Sequence, residues 1–206
     1  MQNLFNKDYF EKGIELGISG YSNYRWIPEL TFPMAHWLIK YLGIKEDDRI
    51  LDFGCAKGYL VLAFRLLHYK MYGCDVSDYA LKNAPNEIQD YISRFITDFD
   101  KFDWVISKDV FEHIPYSDID YVLCTIRKMC NNMFCIIPLG ENGKYNIELY
   151  EHDKTHIIRE SMEWWHNKFE DVGFIIREQV YRKKHIKENY ARYKKGNGFF
   201  TLTSRL

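Results

Sequence analysis

An acid, a glycine-bearing turn and a second acid follow one another in the most regular part of the chain. Asp52 and the turn from Gly54 to Gly58 come at the end of an apolar run, and Asp75 ends the next such run. Glycines let a ligand approach the backbone, and a helix N-terminus offers free N–H groups. The pattern is D-x-G-x-x-x-G, whereas a dinucleotide site needs G-x-G-x-x-G. An acid before the turn repels a diphosphate but binds the ammonium of an amino acid.

Acids at successive strand ends are suited to a nucleoside. Asp75 lies 21 residues after Gly54, where a carboxylate accepts both hydroxyls of a ribose. Asp98 follows the predicted third strand, where a carboxylate accepts the amino group of an adenine. Ligands of open parallel sheets bind beyond the carboxyl ends of the strands. S-adenosylmethionine joins a zwitterionic amino acid to a nucleoside, so the residues favour this cofactor. The alternative reading of the two glycines alone is an ordinary tight turn.

An acid–histidine cluster follows the predicted fourth strand. Asp109, Glu112 and His113 are spaced i, i+3 and i+4, and such residues share one face of a helical turn. A hydroxyl is a poor nucleophile until its proton leaves, so methyl transfer to an alcohol needs a base or a metal. His156, in the segment 152–156, is expected to bring a further imidazole to the same rim. In the alternative reading, Glu112 and His113 only fix a loop before Pro115.

Apolar runs alternate with helix-like segments through the middle of the chain. Five strands are predicted from these runs, at 49–53, 70–74, 94–97, 104–107 and 133–137. Helices are predicted between them, at 59–67, after the capping residue Ser77, and at 117–129. This alternation is typical of a parallel sheet with helices on both faces. A helix at 161–172 then precedes two extended runs, 174–181 and 199–205, which are expected to pair antiparallel.

Composition and charge limit the class of protein. The 206 residues carry 28 Lys+Arg and 29 Asp+Glu, for a formal net charge of −1, which excludes a general nucleic-acid binder. We expect a single domain over 1–206, with a cover segment at 1–43 and an α/β core at 44–206. The aromatic residues of the cover are expected to close a substrate pocket, or simply to pack on the sheet. No apolar stretch is long enough to span a membrane.

The cysteines favour a reducing compartment. There are five, an odd number, and none forms a CxxC pair, so neither a disulfide framework nor a zinc ribbon is indicated. The N-terminus carries charges where a signal peptide needs an apolar run. We therefore expect a cytoplasmic protein.

Three segments resemble the class I S-adenosylmethionine-dependent methyltransferases: RILDFGCAKGYLV, YGCDVSDYAL and FDWVISKDVFEHI. The resemblance implies a Rossmann-like, seven-stranded, mostly parallel sheet with an antiparallel last strand, helices on both faces and an N-terminal helical cover. It also implies a set of cofactor contacts. They are Asp52, Gly54, Cys55, Gly58 and Lys108 at the methionine part, Asp75 and Val76 at the ribose, and Asp98 and Phe99 at the adenine. The Cys55 side chain itself is expected to pack, and Arg25 is expected to pair with the cofactor carboxylate.

The acid–histidine cluster carries a second resemblance. Its D-x-x-E-H spacing is similar to the E-x-x-E-H pattern, with a distant histidine, of small-RNA 3′-terminal 2′-O-methyltransferases and ubiquinone-pathway O-methyltransferases. That pattern implies a divalent metal, but the first acid here is the shorter Asp109. The favoured catalytic set is therefore His113, His156 and Asp109, with no metal.

A third resemblance, at the level of the family, indicates the chemical class of the methyl acceptor. The segments YFEKGIELGISGYSNYRW and HDKTHIIRESMEWW are similar to stand-alone methyltransferases of glycan and sugar modification. They imply O-methylation of a sugar hydroxyl, with a deoxyhexose as the favoured acceptor. Trp164 and Trp165 are suited to stacking on a sugar ring, but core packing is the favoured interpretation for at least one of the two. Alternatives are a terminal RNA ribose, a quinone-type phenol, and a non-catalytic partner protein. The run 182–195, with seven Lys/Arg, one Glu, Tyr190 and Tyr193, suits phosphates or a solvated loop.

Overall fold

The computed structural model describes residues 4–188 and 192–204. In this part of the chain a central sheet is assembled from short strands, with a small hairpin beside it. The strands are β1 (Arg49–Phe53), β2 (Lys70–Cys74), β3 (Ile92–Ser93), β4 (Phe102–Lys108), β5 (Cys130–Pro138), β6 (Gly140–Glu141), β7 (Lys144–Tyr145), β8 (Phe174–Val180) and β9 (Asn197–Ser204). The sheet has seven strands in the order β3-β2-β1-β4-β5-β9-β8, and β6 pairs with β7 separately.

The strand directions confirm the expected fold class. β1 pairs parallel with β2 and β4, β2 with β3, and β4 with β5, whereas β9 runs antiparallel to both β5 and β8. Helices cover both faces because successive residues of a strand point to opposite sides. Ile50 and Leu51 accordingly belong to two different hydrophobic clusters, one on each face of the sheet. The molecule is a Rossmann-like α/β domain.

The helices follow the sequence signals closely. They are α1 (Lys7–Glu11), α2 (Gly13–Leu16), α3 (Pro28–Leu42), α4 (Tyr59–Leu66), α5 (Asp78–Lys82), α6 (Ile119–Met129) and α7 (Met162–Asp171). The hydroxyls of Ser77 and Ser161 accept the backbone N–H of Ala80 and Trp164, so they cap α5 and α7. Among the described residues, no helix combines the length and the apolar character that a membrane span requires.

The third strand is shorter and earlier than predicted. The prediction at 94–97 is wrong: β3 is Ile92–Ser93, and Ile96–Asp98 forms a 3₁₀ turn. The Asp98 carboxylate accepts the backbone N–H of Phe95 at 3.3 Å and the hydroxyl of Ser93. This local capping turns the chain before a ladder can extend.

The N-terminal cover divides into two parts. In α3, Ala35 and Leu38 are buried against α4 on one face of the sheet. Tyr9 and Phe10 of α1 are instead buried with Ala80 in a separate aromatic cluster, and Ser77 caps α5 beside it. Helices packed on the sheet therefore account for the second half of the cover, while the first half lies at the carboxyl edge.

Candidate active site

The glycine turn between β1 and α4 requires its two glycines. Gly54 has φ +80° and Gly58 has φ +70°, in the left-handed region that side chains rarely adopt. A Cβ at Gly54 would lie 2.4 Å from Val110, and a Cβ at Gly58 would lie 2.4 Å from Ile88. The turn is therefore fixed by backbone conformation and by close packing together, and its open side faces the carboxyl ends of the strands.

Two carboxylates flank this turn. Asp75 accepts the backbone N–H of Ala56 at 2.7 Å and of Ser77 at 2.8 Å, so its orientation is set by the backbone. Burial raises the pKa of Asp75. Burial, and secondarily the charge of Asp75, raises the pKa of Asp52 to about 7. Two buried acids this close favour a ligand that brings a positive charge.

A cavity of about 420 Å³ opens beside the turn, and we call it the turn cavity. Gly54, Asp75 and Val76 line it, and Phe95, Ile96 and Thr97 close its far side. The remaining lining is largely apolar: Phe5, Tyr9, Phe10, Tyr21, Phe53, Ala56, Cys74, Arg94, Asp109, Val110, His113, Ile114, Asp118, Tyr121, Val122 and Thr125.

Seven of the ten expected cofactor contacts lie outside the lining of the turn cavity: Arg25, Asp52, Cys55, Gly58, Asp98, Phe99 and Lys108. Asp98 points into its own 3₁₀ turn, and the Phe99 ring packs on Tyr72 at 5.5 Å between centroids. Asp98 and Phe99 differ from expectation because β3 ends early, at Ser93. Ile96 and Thr97 line the cavity where Asp98 and Phe99 were expected. Cys55 is buried against Gly73, and Arg25 is exposed.

A second cavity of about 600 Å³ adjoins the first, and we call it the histidine cavity. Four residues line both: Tyr9, Tyr21, Asp109 and His113. The other lining residues are Gly20, Glu29, Leu30, Thr31, Pro33, Met34, Trp37, Lys108, Glu112, Leu149, Tyr150, Asp153, His156, His185, Lys187 and Glu188. The four shared residues therefore form a common wall of the two cavities. Two ligands, one in each cavity, would lie next to each other at this wall.

Asp109 lies in this common wall in a strained conformation, with φ +58°. Its carboxylate accepts from the ammonium of Lys108 at 2.7 Å and from that of Lys187. Burial alone would raise the pKa of Asp109, but the two lysines outweigh it and hold the pKa below its ordinary value. Asp109 is thus an anion held by two cations rather than a free base.

Lys187 was missed as a site residue by sequence reasoning, which assigned it to a basic loop. Its side chain is 3% exposed and donates to Asp109 and, at 2.8 Å, to Asn197. The available signal was Ile186, an apolar residue inside the basic run, which is buried and anchors the loop. This lysine is therefore a part of the site and not a solvated charge.

His113 and His156 come together as expected, with ring centroids 4.6 Å apart. The hydroxyl of Thr155 donates to Asp153 at 2.6 Å, so it must accept from Nδ1 of His113, at 2.7 Å. Nδ1 of His156 lies 2.8 Å from the carbonyl oxygen of Tyr150, which only accepts. Each imidazole therefore carries its proton on Nδ1 and has a bare Nε2.

Burial disfavours the charged form of both rings. It lowers the pKa of His113 to about 4, with His156 as the second cause, and it also lowers the pKa of His156. The neutral imidazole is the form that accepts a proton at physiological pH.

The Glu112 side chain is fully buried, and neither carboxylate oxygen has a hydrogen-bond partner among the described residues. Its Oε1 lies 3.9 Å from Nε2 of His156. Burial raises the pKa of Glu112 well above its ordinary value. The backbone carbonyl oxygen of Glu112 accepts the backbone N–H of Ile157 and Ile158 and so fixes the neighbouring loop. The carboxyl group of Glu112 takes no part in these two hydrogen bonds.

The metal implied by the E-x-x-E-H resemblance does not fit this arrangement. Glu112, His113 and His156 offer one ligand atom each within 4.8 Å of one another. The first acid of the pattern, Asp109, is occupied by two lysines. Proton transfer at this site therefore depends on the side chains alone.

Comparison with known proteins identifies the family. The sequence model of a family described as a methyltransferase domain matches residues 29–190. The chain belongs to this methyltransferase family. The expected enzyme class, an S-adenosylmethionine-dependent methyltransferase, is thereby confirmed, as is its methyl donor. No curated protein matches the sequence significantly.

Solved structures share the fold of this methyltransferase at low identity. A chain from the complex of the Haloferax volcanii Trm112 methyltransferase activator with a methyltransferase is 19% identical, with TM-score 0.66, covering 87% of this chain and 92% of that one. Magnesium protoporphyrin IX methyltransferase from Synechocystis PCC 6803, with bound SAH, is 13% identical, with TM-score 0.65 and coverages of 99% and 98%. The glycopeptide N-methyltransferase MtfA is 10% identical, with TM-score 0.61 and coverages of 85% and 87%. Their different acceptors leave the acceptor of this chain open.

Proposed function

We propose that this methyltransferase transfers the methyl group of S-adenosylmethionine to a hydroxyl of a sugar or glycan, with a deoxyhexose as the favoured acceptor. The observation that carries the proposal is the position of His113. Its neutral imidazole lies in the wall common to the turn cavity and the histidine cavity. A base in this wall would contact an acceptor hydroxyl in the histidine cavity and lie beside a methyl donor in the turn cavity.

The turn cavity would hold the cofactor. Asp75, with its carboxylate fixed by two backbone N–H groups, is suited to the ribose hydroxyls. Asp52 is suited to the ammonium of the methionine part, because a cation offsets the cost of keeping a buried carboxylate ionised. Val76, Ile96 and Thr97 would enclose the adenine. Adenine contacts by Asp98 and Phe99, and a carboxylate contact by Arg25, stay predictions.

The histidine cavity would hold the acceptor and take its proton. The hydroxyl gives its proton to Nε2 of His113 as an oxygen lone pair forms the new bond to the methyl carbon and the bond from carbon to sulfur breaks. The cofactor leaves as a neutral thioether, and the charge of the sulfonium ends as a proton on the imidazole. Asp153 supports that imidazolium through the hydroxyl of Thr155.

Aromatic and apolar residues at the mouth of the histidine cavity suit the C–H face of a sugar ring. The rings of Trp37 and His185 stack, with centroids 4.2 Å apart and planes 16° apart, and Leu30 beside them is largely exposed. The tandem tryptophans are a different matter. Trp165 is fully buried in the core, as expected for at least one of the two, and Trp164 packs edge-on against Tyr116.

The alternative of a terminal RNA ribose receives little support from the basic run 182–195. Lys187 is committed to Asp109 and Asn197, and Lys183 to Glu178. Of the two aromatic residues that favoured nucleic acid, Tyr190 lies outside the described residues, and Tyr193 is partly buried against a small hydrophobic cluster. Carboxylates also outnumber ammonium groups around the histidine cavity, which disfavours phosphates.

Labelled methyl transfer tests the proposal. The protein is incubated with methyl-labelled S-adenosylmethionine and, separately, with deoxyhexoses, a short RNA and a catechol. We expect label in a deoxyhexose, at an oxygen by mass spectrometry of the product. Label in RNA or the catechol alone would replace the sugar with that acceptor class, and label on no added compound would contradict the proposal.

A further inference from the structure

The histidine cavity has an excess of negative groups. Five carboxylates line it: Glu29, Asp109, Glu112, Asp153 and Glu188. The two lysines of the lining, Lys108 and Lys187, both pair with Asp109. In the described part of the chain, no Lys or Arg forms an ion pair with any of the other four acids. A concave surface of one sign concentrates ligands of the opposite sign.

Three side chains of this cavity carry acceptor atoms that receive no hydrogen bond from the described residues. Glu112 is fully buried with neither carboxylate oxygen hydrogen-bonded, and the adjacent His156 presents a bare Nε2. Nε2 of His113 is bare as well. Groups that only accept are costly to bury together unless a donor joins them. A ligand that brings N–H or O–H groups would satisfy these acceptors. A positive charge would suit Glu112 best, because a cation offsets the cost of ionising a carboxyl group whose pKa is raised by burial.

We propose that the acceptor carries a protonated amine next to the hydroxyl that is methylated, and that Glu112 and His156 bind this ammonium while His113 takes the hydroxyl proton. The inference rests on the proposed function and narrows its substrate class from sugars to amino sugars. Hydrogen bonds of about 2.9 Å place two acceptors of one ammonium roughly 4–5 Å apart. The 3.9 Å between Glu112 and His156 is close to that separation.

Such an acceptor would place its amine beside His156 and its hydroxyl beside His113. The amine of a 1,2-amino alcohol is a near neighbour of the hydroxyl, as His156 is of His113, with ring centroids 4.6 Å apart. A protonated amine has no lone pair with which to attack the methyl group, so it acts as a handle while the hydroxyl reacts. A phosphate at the same place would face Glu112 and Asp153, which repel it.

Binding of matched sugars to the protein saturated with S-adenosylhomocysteine tests this inference. The probes are D-glucosamine, D-glucose, N-acetyl-D-glucosamine and D-glucose 6-phosphate, measured by isothermal titration calorimetry. We expect glucosamine to bind at least about tenfold more tightly than glucose, which is a difference of about 1.4 kcal/mol. The N-acetyl sugar, which has the same substituent position without the charge, should bind no better than glucose, and the phosphate should bind least.

Two variants locate the effect. Glu112→Gln keeps the shape of the side chain but cannot ionise beside a bound ammonium, and we expect it to abolish the preference for glucosamine while the affinity for S-adenosylhomocysteine changes less than about threefold. Glu163→Gln, a matched change at an exposed position of α7, should keep the preference.

Four results would overturn the inference: equal binding of glucosamine and the N-acetyl sugar, preference for the phosphate, no binding of glucosamine up to its solubility limit, or stoichiometric Zn²⁺ binding that Glu112→Gln removes. The proposed function fails separately. Methylation of neutral sugars at an equal rate would uphold O-methylation and refute the amine handle. Methylation of the glucosamine nitrogen would uphold binding of the amine in this cavity and refute O-methylation.

Discussion

The two cavities of this methyltransferase differ in how their residues are distributed along the sequence. The turn cavity takes the groups suited to the cofactor, Gly54 and Asp75, from the turns that directly follow β1 and β2. The histidine cavity combines α3, the end of β4, the segment 149–156 and the loop that carries Lys187. The first is organised by backbone conformation and backbone N–H groups, and the second by side chains that meet across the fold. Substitutions should therefore disable the two cavities in different ways.

The largest effect is expected in the turn cavity. Gly58→Val places a branched side chain at φ +70° with its Cβ 2.4 Å from Ile88, and Asp75→Ala removes the carboxylate expected to hold the ribose. We expect each variant to lose S-adenosylmethionine binding, by more than about 100-fold in calorimetry.

A matched glycine separates backbone strain from loss of the cavity. Gly43 has φ +64° at the end of α3, and a Cβ there would meet no atom within 4 Å. Gly43→Val should lower the melting temperature while keeping the cofactor affinity. Wild-type affinity in both Gly58→Val and Asp75→Ala would remove the turn cavity as the cofactor site.

The same difference explains what could be predicted from the sequence. The turn 54–58 and Asp75 were recognisable because each follows its own strand, and parallel strands bring their ends to one edge. Asp98 was placed at the end of a strand that in fact ends at Ser93, because a carboxylate accepting Phe95 N–H and the Ser93 hydroxyl turns the chain early. A side-chain cap of this kind has no periodic signal.

Sequence spacing was less informative for the histidine cavity. His113 and His156 were expected to meet, and they do, but the tautomers depend on Thr155 and the Tyr150 carbonyl oxygen. Lys187 was unpredictable because its position depends on the packing of its neighbour Ile186 against one hydrophobic cluster of the sheet. Only the assembled fold decides which charge of a basic run is buried.

A smaller effect of a different kind is expected in the histidine cavity. His113→Ala should keep the affinity for S-adenosylmethionine and lower kcat by about 10²–10⁴-fold, the usual contribution of a general base. Labelled transfer to the best sugar of the panel gives kcat, and calorimetry gives the affinity. His166→Ala, at a position on α7 outside both cavities, is the control. Unchanged turnover in His113→Ala would mean that another group removes the proton.

The next effect tests whether a loop residue belongs to the site. Lys187→Met removes one of the two cations that hold Asp109, so we expect kcat to fall about tenfold, equivalent to about 1.4 kcal/mol in the barrier, with cofactor affinity unchanged. Lys184→Met, an exposed position in the same loop, is the matched control. A purely structural role for Lys187 would lower the melting temperature and leave kcat intact.

The double variant sharpens this test. If Lys187 acts through Asp109, then Asp109→Asn combined with Lys187→Met should lose less than the sum of the two single losses. Lys187→Arg should restore part of the rate, because it keeps the charge. Additive losses would separate the two residues and return Lys187 to a role in folding alone.

The smallest expected effect is that of mild acid on activity. Burial, and then His156, lowers the pKa of His113 to about 4 from its ordinary 6.5, so the neutral base persists as the pH falls from 7 to 5. With both substrates saturating, so that the bound ligands hold Asp52 and Glu112 ionised, kcat should therefore stay nearly constant to about pH 5 and fall by half near pH 4. Over the same window the unfolded chain takes up a proton that the native ring excludes, so the free energy of unfolding decreases as the pH falls. Circular dichroism at each pH separates that loss of folded protein from loss of the base. A midpoint near 6.5 in fully folded protein would show that the catalytic imidazole is not the buried ring of the common wall.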